Sequence, residues 1–374
     1  MSSQYVSWPE AAWLIMQYTI CANHLFIPQL LYSMCGRSAW VVTLAAALPA
    51  SAGAWAVYSL HAKHPGDRVG QFLPKVVGKV IAAPLLLLYT VFWTGGAAAN
   101  AVVFAHYMSS TVLVATPLSV LVGSTAVIIA MVSLCGLKTL VRLSDSLLFL
   151  ILPISIFMWV GPVFSHRLDL TNLIPFRIEE VAANPFMLAM MTIGMYHGYL
   201  MALITGPVMN PRGRTTLVAS IAGTLAAVPA FFTFVCYPVL VLGWPMAEDL
   251  TYPAASFMEV VAPKTLNIPV RRVDFILAML LRFVMVIAAF SYFYSAAQTI
   301  TDLVSPARSS PHPWAVLALT AIIVASPFVF KDMYMLMQSL QVWMVLSAAI
   351  VGITIILAIV AMARGSGGRG RSPR

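Results

Sequence analysis

The stretch Gly194-Met195-Tyr196-His197-Gly198 interrupts an apolar segment near its middle, and Cys21-Ala22-Asn23-His24 interrupts another in the same way. In hydrocarbon every backbone N–H and C=O must find a partner inside the protein. A helix broken at mid-membrane therefore persists only where it is buried or lines a cavity. Two breaks at corresponding places in two halves of a chain point to a binding site near the membrane midplane.

Composition establishes the membrane. Of 374 residues, 61% are apolar and 9% charged, and the mean hydropathy is +0.91. A soluble domain of this make-up would expose too much apolar surface, so the sequence predicts an all-α polytopic membrane protein. A spanning helix takes about 20 mostly apolar residues. Ten segments meet that requirement, near residues 9–34, 38–61, 79–112, 117–136, 141–164, 184–207, 214–244, 270–304, 312–330 and 336–363. The third, seventh and eighth are long enough to tilt or project beyond the bilayer. A transmembrane barrel is not expected, because the apolar runs are continuous rather than alternating. The first segment does not read as a secretory signal, since no Lys or Arg precedes Arg37. Cys21, Cys35, Cys135 and Cys236 lack metal-site or redox-motif spacing and read as small packing residues.

Basic residues fall mainly in one set of loops, including Lys63, Arg68, Lys75, Lys79, Lys138, Arg142, Arg212, Arg214, Arg308 and Arg364. The opposite loops hold most of the acids, among them Asp169, Glu179, Glu248, Asp249 and Glu259. By the positive-inside rule both termini are expected in the cytoplasm. The net charge of +9 then faces anionic headgroups and requires no nucleic acid. Residues 1–363 read as a single transmembrane domain, and 364–374 as a disordered basic cytoplasmic tail lacking the apolar residues to fold.

Ten spans with breaks in the first and sixth imply two five-helix halves of opposite topology, about 9–164 and 184–363. A set of short motifs makes the pattern more specific: Gly36-Arg37-Ser38-Ala39-Trp40, His64-Pro65, Thr116-Pro117, Gly136-Leu137-Lys138 and Arg142-Leu143-Ser144-Asp145. Asp169-Leu170-Thr171-Asn172-Leu173-Ile174-Pro175 and Arg272-Val273-Asp274 continue it. In order and spacing, over residues 5 to about 360, the chain resembles the GerB-type spore germination permeases of the amino acid/polyamine/organocation transporter superfamily. The resemblance implies a LeuT-like fold with broken helices 1 and 6. It also implies a place in the spore inner membrane beside an A-type membrane subunit and a C-type lipoprotein, and the sensing of small nutrients, typically amino acids. One departure is Arg271, where members often carry an acid before the Arg-x-Asp motif.

The residues themselves supply a candidate site. At the first break, Cys21, Ala22, Asn23 and His24 are expected to expose backbone groups, helped by Pro28, which lacks a donor. Half-helix ends suit a zwitterion, with N–H groups for a carboxylate and carbonyls for an ammonium or a cation. A kinked packing helix whose Asn and His bond neighbouring helices is the alternative. At the second break, Gly194 and Gly198 are expected to let the backbone unwind around Tyr196 and His197. His197 reads either as a proton-coupling or pH-sensing group or as a neutral imidazole bonded to a carbonyl. Tyr196 either walls the pocket or bridges two helices. Asn100, Ser291, Tyr292 and Ser295 are further candidates, each with helix packing as the alternative.

Asp274 and Arg282 are coupling candidates on the eighth segment. An Arg left toward lipid at mid-depth costs at least ~2.5 kcal/mol. Its separation from Asp274, roughly 12 Å along the axis, excludes direct pairing within the helix. Arg282 therefore either snorkels to headgroups or couples this helix to the site or to a partner subunit.

No enzyme motif is present, neither H-E-x-x-H nor G-x-S-x-G nor a phosphate-cradling Gly loop, and no cofactor or metal site is expected. The sequence supports a nutrient-sensing receptor subunit, with an ion- or proton-coupled amino-acid permease or an inert scaffold as alternatives.

Overall fold

The computed structural model describes residues 6–23, 26–111, 113–164, 168–174, 179, 185–209, 215–266 and 273–364. Within them the regular structure is helical, apart from an isolated bridge between Val6 and Met209. The first apolar segment forms α1 (Trp8–Asn23) and α2 (Ile27–Cys35); the second forms α3 (Ala39–Ala45) and α4 (Ala47–Lys63). A short amphipathic helix, α5 (Val69–Val77), leads into α6 (Lys79–Thr111), α7 (Leu118–Leu134) and α8 (Leu137–Phe164). The second half contains α9 (Pro185–Gly194), a 3₁₀ turn (His197–Met201), α10 (Ala202–Thr205) and α11 (Thr215–Leu242). It continues with α12 (Trp244–Asp249), α13 (Pro253–Leu266), α14 (Val273–Val304), α15 (Pro313–Val329) and α16 (Met333–Ala363).

Each of the ten apolar segments thus coincides with a helix or a helix pair. Among the described residues, four stretches are long and apolar enough to cross a membrane on their own: Ile27–Lys63, Lys79–Ser110, Thr216–Leu242 and Met333–Ala363. Two bent pairs raise the number to six, one joining α7 to α8 at 117° and one spanning residues 185–208 at 50°. The molecule is an all-α membrane protein. Its surface agrees, because large apolar side chains such as Val80, Leu87, Val127, Leu317, Phe328 and Val342 face outward. In water such a surface would drive association; against lipid it costs nothing.

With lipid outside, helices associate through close packing of small residues rather than through hydrophobic burial. Ala97, Ala101 and Ala105, four residues apart on α6, are fully buried where α6 packs along α14, which contributes Ala288, Ala296 and Ala297. Helix α1 packs along α11, where a Cβ on Gly223 would lie 2.5 Å from the Ala12 carbonyl oxygen. Pro28, expected to loosen the first break, instead lies in the first turn of α2, where the helix needs no N–H from it. Gly78, at φ 85° and ψ 158°, occupies a region essentially closed to other residues and turns the chain from α5 into α6. Arg364, assigned from sequence to the free tail, caps α16, and its guanidinium donates to the Val76 carbonyl of α5. Residues 365–374 lie outside the described residues.

Candidate functional site

The sixth apolar segment breaks after Gly194. A helix end leaves its last carbonyls without intrahelical partners, and that of Gly194 is satisfied twice. It accepts from His197 Nδ1 at 2.6 Å and from Ser347 Oγ of α16 at 3.0 Å. Bonding at Nδ1 assigns the proton of a neutral imidazole to that nitrogen and leaves Nε2 to accept from the Tyr292 hydroxyl of α14. The second break therefore joins α9, α14 and α16 through one buried imidazole.

The glycines do something other than expected. Neither Gly194 nor Gly198 is among the positive-φ glycines. Both are sites of close approach instead. A Cβ on Gly198 would sit 1.6 Å from Thr19 Oγ1 and 2.8 Å from the Ile15 carbonyl oxygen, and one on Gly194 would sit 2.8 Å from the Met344 carbonyl oxygen. The 3₁₀ turn is thus pressed against α1, and α9 against α16. Gly96 does the same for α6, since its Cβ would lie 2.6 Å from the Tyr292 ring.

Aromatic rings fill the space around His197. Phe92 and Trp343 meet it edge-on with centroids at 5.4 and 5.1 Å, and Tyr18 lies at 6.0 Å. Phe92 and Trp343 stack at 5.5 Å with 3° between their planes, and Trp343 Nε1 donates to the Phe92 carbonyl at 3.1 Å. Tyr18 packs on Tyr292 at 4.3 Å. Its hydroxyl lies beside the Tyr292 hydroxyl and the Trp93 indole, yet neither it nor Trp93 Nε1 has a hydrogen bond of good geometry. Polar groups therefore cluster, with poorly aligned hydrogen bonds between them, where α1, α6 and α14 meet.

The other candidates are placed as follows. Cys21, Ala22 and Asn23 close α1, but their side chains, and all of His24, lie outside the described residues. Tyr196 points away from His197; its hydroxyl donates to the Thr43 carbonyl at 3.1 Å and its ring meets Phe231 edge-on at 4.9 Å, bridging α3 and α11. Asn100 Nδ2 donates to the Gly96 carbonyl at 2.8 Å, while its buried Oδ1 has no partner. Ser291 and Ser295 donate within α14, to the Ile287 and Ser291 carbonyls. Asp274 and Arg282 fall on α14, but their side chains lie outside the described residues.

Sequence reasoning missed Tyr18, Phe92, Trp93 and Trp343. Tyr18 carried a signal, lying one turn before the first break. The other three carried none, because an aromatic residue in an apolar segment is unremarkable until its neighbours are known.

Contacts between helices close the bundle toward both of its ends. On the face with most basic residues, Trp13 Nε1 and Gln17 Nε2 donate to the Ser144 carbonyl at 3.1 and 2.9 Å, tying α1 to α8. There too, Arg68 holds Asp302 in a buried two-bond pair, Nη2 to Oδ1 at 2.8 Å and Nε to Oδ2 at 3.1 Å. Gln298 donates to the same Asp302 Oδ1 at 2.9 Å, and Arg68 Nη2 donates to the Arg308 carbonyl at 2.7 Å. On the opposite face, Tyr32 donates to the Val235 carbonyl at 2.6 Å, Gln29 to the Glu248 carbonyl at 3.0 Å, and Tyr107 meets Tyr252 edge-on at 5.1 Å.

A multi-pass helical bundle with a bent, broken segment, tied together at both ends, defines a polytopic membrane protein. Residues 5–333 match the family model described as "Spore germination protein", and the chain belongs to that family of membrane permeases. No curated protein sequence matches it. Among solved structures it is similar to a manganese transporter of Eremococcus coleocola in complex with an aromatic bis-isothiourea substituted compound. The TM-score is 0.58 at 12% identity, covering 98% of this chain and 81% of the transporter. That likeness establishes a LeuT-like transporter fold.

Proposed function

We propose that this chain is the germinant-sensing membrane subunit of a spore germination receptor, binding a small nutrient, an amino acid, between the first and sixth spans. In this reading its ten apolar segments form two inverted five-helix repeats and both termini are cytoplasmic. An A-type membrane subunit and a C-type lipoprotein complete the receptor. The observation that carries the proposal is the cluster of buried polar groups, Tyr18 Oη, Trp93 Nε1, Tyr292 Oη and the His197 imidazole, where α1, α6 and α14 meet next to the broken sixth segment. Tyr18 Oη and Trp93 Nε1 adjoin each other without a well-aligned hydrogen bond. A ligand that bonds these groups better in one state than in another favours the state that binds it.

The test is thermal stabilisation of the purified chain across amino acids, sugars and nucleosides. A ligand-specific shift that is lost in Tyr18→Phe and His197→Ala supports the site. No shift in a folded sample removes it. Uptake of the same ligand into proteoliposomes containing this chain alone makes it a coupled permease instead.

A further inference from the structure

A cavity of about 610 Å³ lies on the face with most basic residues, between α5, the start of α6 and the end of α14. Its walls are Pro74, Ala82, Ala83, Leu86, Leu303 and Pro306, and Lys75 and Lys79 stand among its lining residues. The geometry follows from the sequence. Helix α5 buries Val69, Phe72, Leu73 and Val76, the spacing of one helical face, and leaves Lys75 outward. Gly78 then reverses the chain, which brings Lys79 to the same cavity as Lys75.

The charges in and around the cavity leave one cation uncovered. Asp302 is neutralised from behind by Arg68, and Asp67 by Lys75 at 2.6 Å. Lys79 has no ion pair among the described residues. Immediately beyond it, Val80 is 88% exposed and Ile81 is exposed as well, at the start of the stretch Lys79–Ser110 that is long and apolar enough to cross a membrane. The cavity therefore sits at the boundary between headgroup and acyl chain, with a cation at that level and apolar walls.

We infer that this cavity binds an anionic phospholipid, its phosphate on Lys79 with Lys75 beside it and the upper part of an acyl chain against Ala82, Ala83 and Leu86. A free phosphate satisfies the lysine but leaves the apolar wall wet, whereas a lipid covers both. Seated there, the lipid touches α5 and the end of α14, the two elements that Arg68 and Asp302 clamp together.

The test uses the purified full-length chain in detergent, titrated with phosphatidylglycerol, with phosphatidylcholine and with inorganic phosphate, reading the thermal midpoint. Phosphatidylglycerol is expected to raise it and the other two to leave it unchanged. Lys79→Gln is expected to weaken the phosphatidylglycerol response about fivefold, the worth of one lysine near an anionic surface. Ala83→Trp, which fills the cavity without altering charge, is expected to abolish it. Lys138→Gln/Arg142→Gln, at the α7–α8 turn, is expected to leave it intact. Equal stabilisation by phosphatidylcholine overturns the proposal, as does an equal loss in the Lys138/Arg142 variant, which marks diffuse attraction. An effect of inorganic phosphate alone overturns the lipid assignment in favour of a soluble anion.

Discussion

Removing the Asp302 carboxylate should destabilise the protein far more than removing both members of its pair. Arg68 and Asp302 are 5% and 3% exposed, and the guanidinium donates two hydrogen bonds to the carboxylate. In Asp302→Ala the guanidinium stays buried with the Arg308 carbonyl as its main remaining acceptor. Breaking one side of a buried pair costs about 3–5 kcal/mol, whereas replacing both sides with apolar residues of similar volume is often neutral or better. At roughly 2 °C per kcal/mol for a chain of this size, Asp302→Ala should lower the thermal midpoint by roughly 6–10 °C. Arg68→Met/Asp302→Leu should recover most of that. The double variant keeps the α5 cap, because that bond runs from the Arg68 backbone N–H to Gln71 Oε1. Cys35 and Cys236 are free and buried while Cys135 is exposed, so a thiol-reactive dye reports unfolding in a Cys135→Ser background. An Asp302→Ala midpoint within about 2 °C of wild type, or a double variant as unstable as the two single changes added together, would refute the reasoning.

Gly198→Ala should loosen the contact between α1 and the 3₁₀ turn, because its Cβ meets the Ile15 backbone oxygen, which cannot rotate away; a cost of about 1–3 kcal/mol is expected by the same dye assay. Gly78→Ala meets open space, so its cost, about 1–3 kcal/mol, arises from backbone strain alone, and restoring glycine by any other route should restore the midpoint. Tyr292→Phe removes the donor to His197 Nε2 and should lower the midpoint by about 1–3 kcal/mol equivalent, with His197→Phe/Tyr292→Phe less harmful than the single changes combined. Asp169 is held below the usual carboxylate range by the Thr171 hydroxyl and N–H, at 2.6 and 2.9 Å. Its contribution is complete above the ordinary aspartate value and disappears as pH falls through the lowered one. The midpoint difference between wild type and Asp169→Asn should therefore shrink toward zero over that acid interval, and a difference that persists below it would contradict the assignment.

The sequence located the long apolar helices among the described residues, because runs of about 20 apolar residues are legible without any tertiary information; it passed over α5, α12 and α13, which fall between those runs. It also found the second break, for Gly194, Tyr196, His197 and Gly198 stand out in an apolar run. A carbonyl-bonded His197 and a helix-bridging Tyr196 were among its readings; what it misread was the work of the two glycines. Close approach and positive φ both select glycine, and only the neighbours, Thr19 and Ile15 for Gly198 and Met344 for Gly194, show that close approach is the reason here. The hydroxyls of Ser291 and Ser295 were equally ambiguous, since a serine facing a ligand and a serine bonding its own helix share one spacing. Arg68 and Asp302 were hidden differently. They lie 234 positions apart, and the basic loop that contains Arg68 had a sufficient explanation in topology, so nothing in the local pattern asked for a partner.

The energetics of the closures bear on how a nutrient acts through the proposed site. An amino acid of about six non-hydrogen atoms has at most about 9 kcal/mol of binding energy at the ceiling of ~1.5 kcal/mol per atom. Only the difference in affinity between two states shifts their populations, and moving a 1:99 equilibrium to 99:1 takes about 5.5 kcal/mol of that difference. That one difference must cover every contact an opening would break, the Arg68–Asp302 pair and the Gln17–Ser144 contact included. Repacking Tyr18 and Tyr292 around a ligand demands less, because it leaves those contacts intact and the hydrogen bonds it disturbs, around the Tyr18 hydroxyl and Trp93 Nε1, are poorly aligned to begin with. A small ligand acting alone is therefore better matched to a rearrangement of the aromatic cluster under closed ends than to a full alternating-access cycle. If transport occurs, a coupled ion must supply the balance, and weakening the clamp with Asp302→Ala should then raise uptake rather than abolish it.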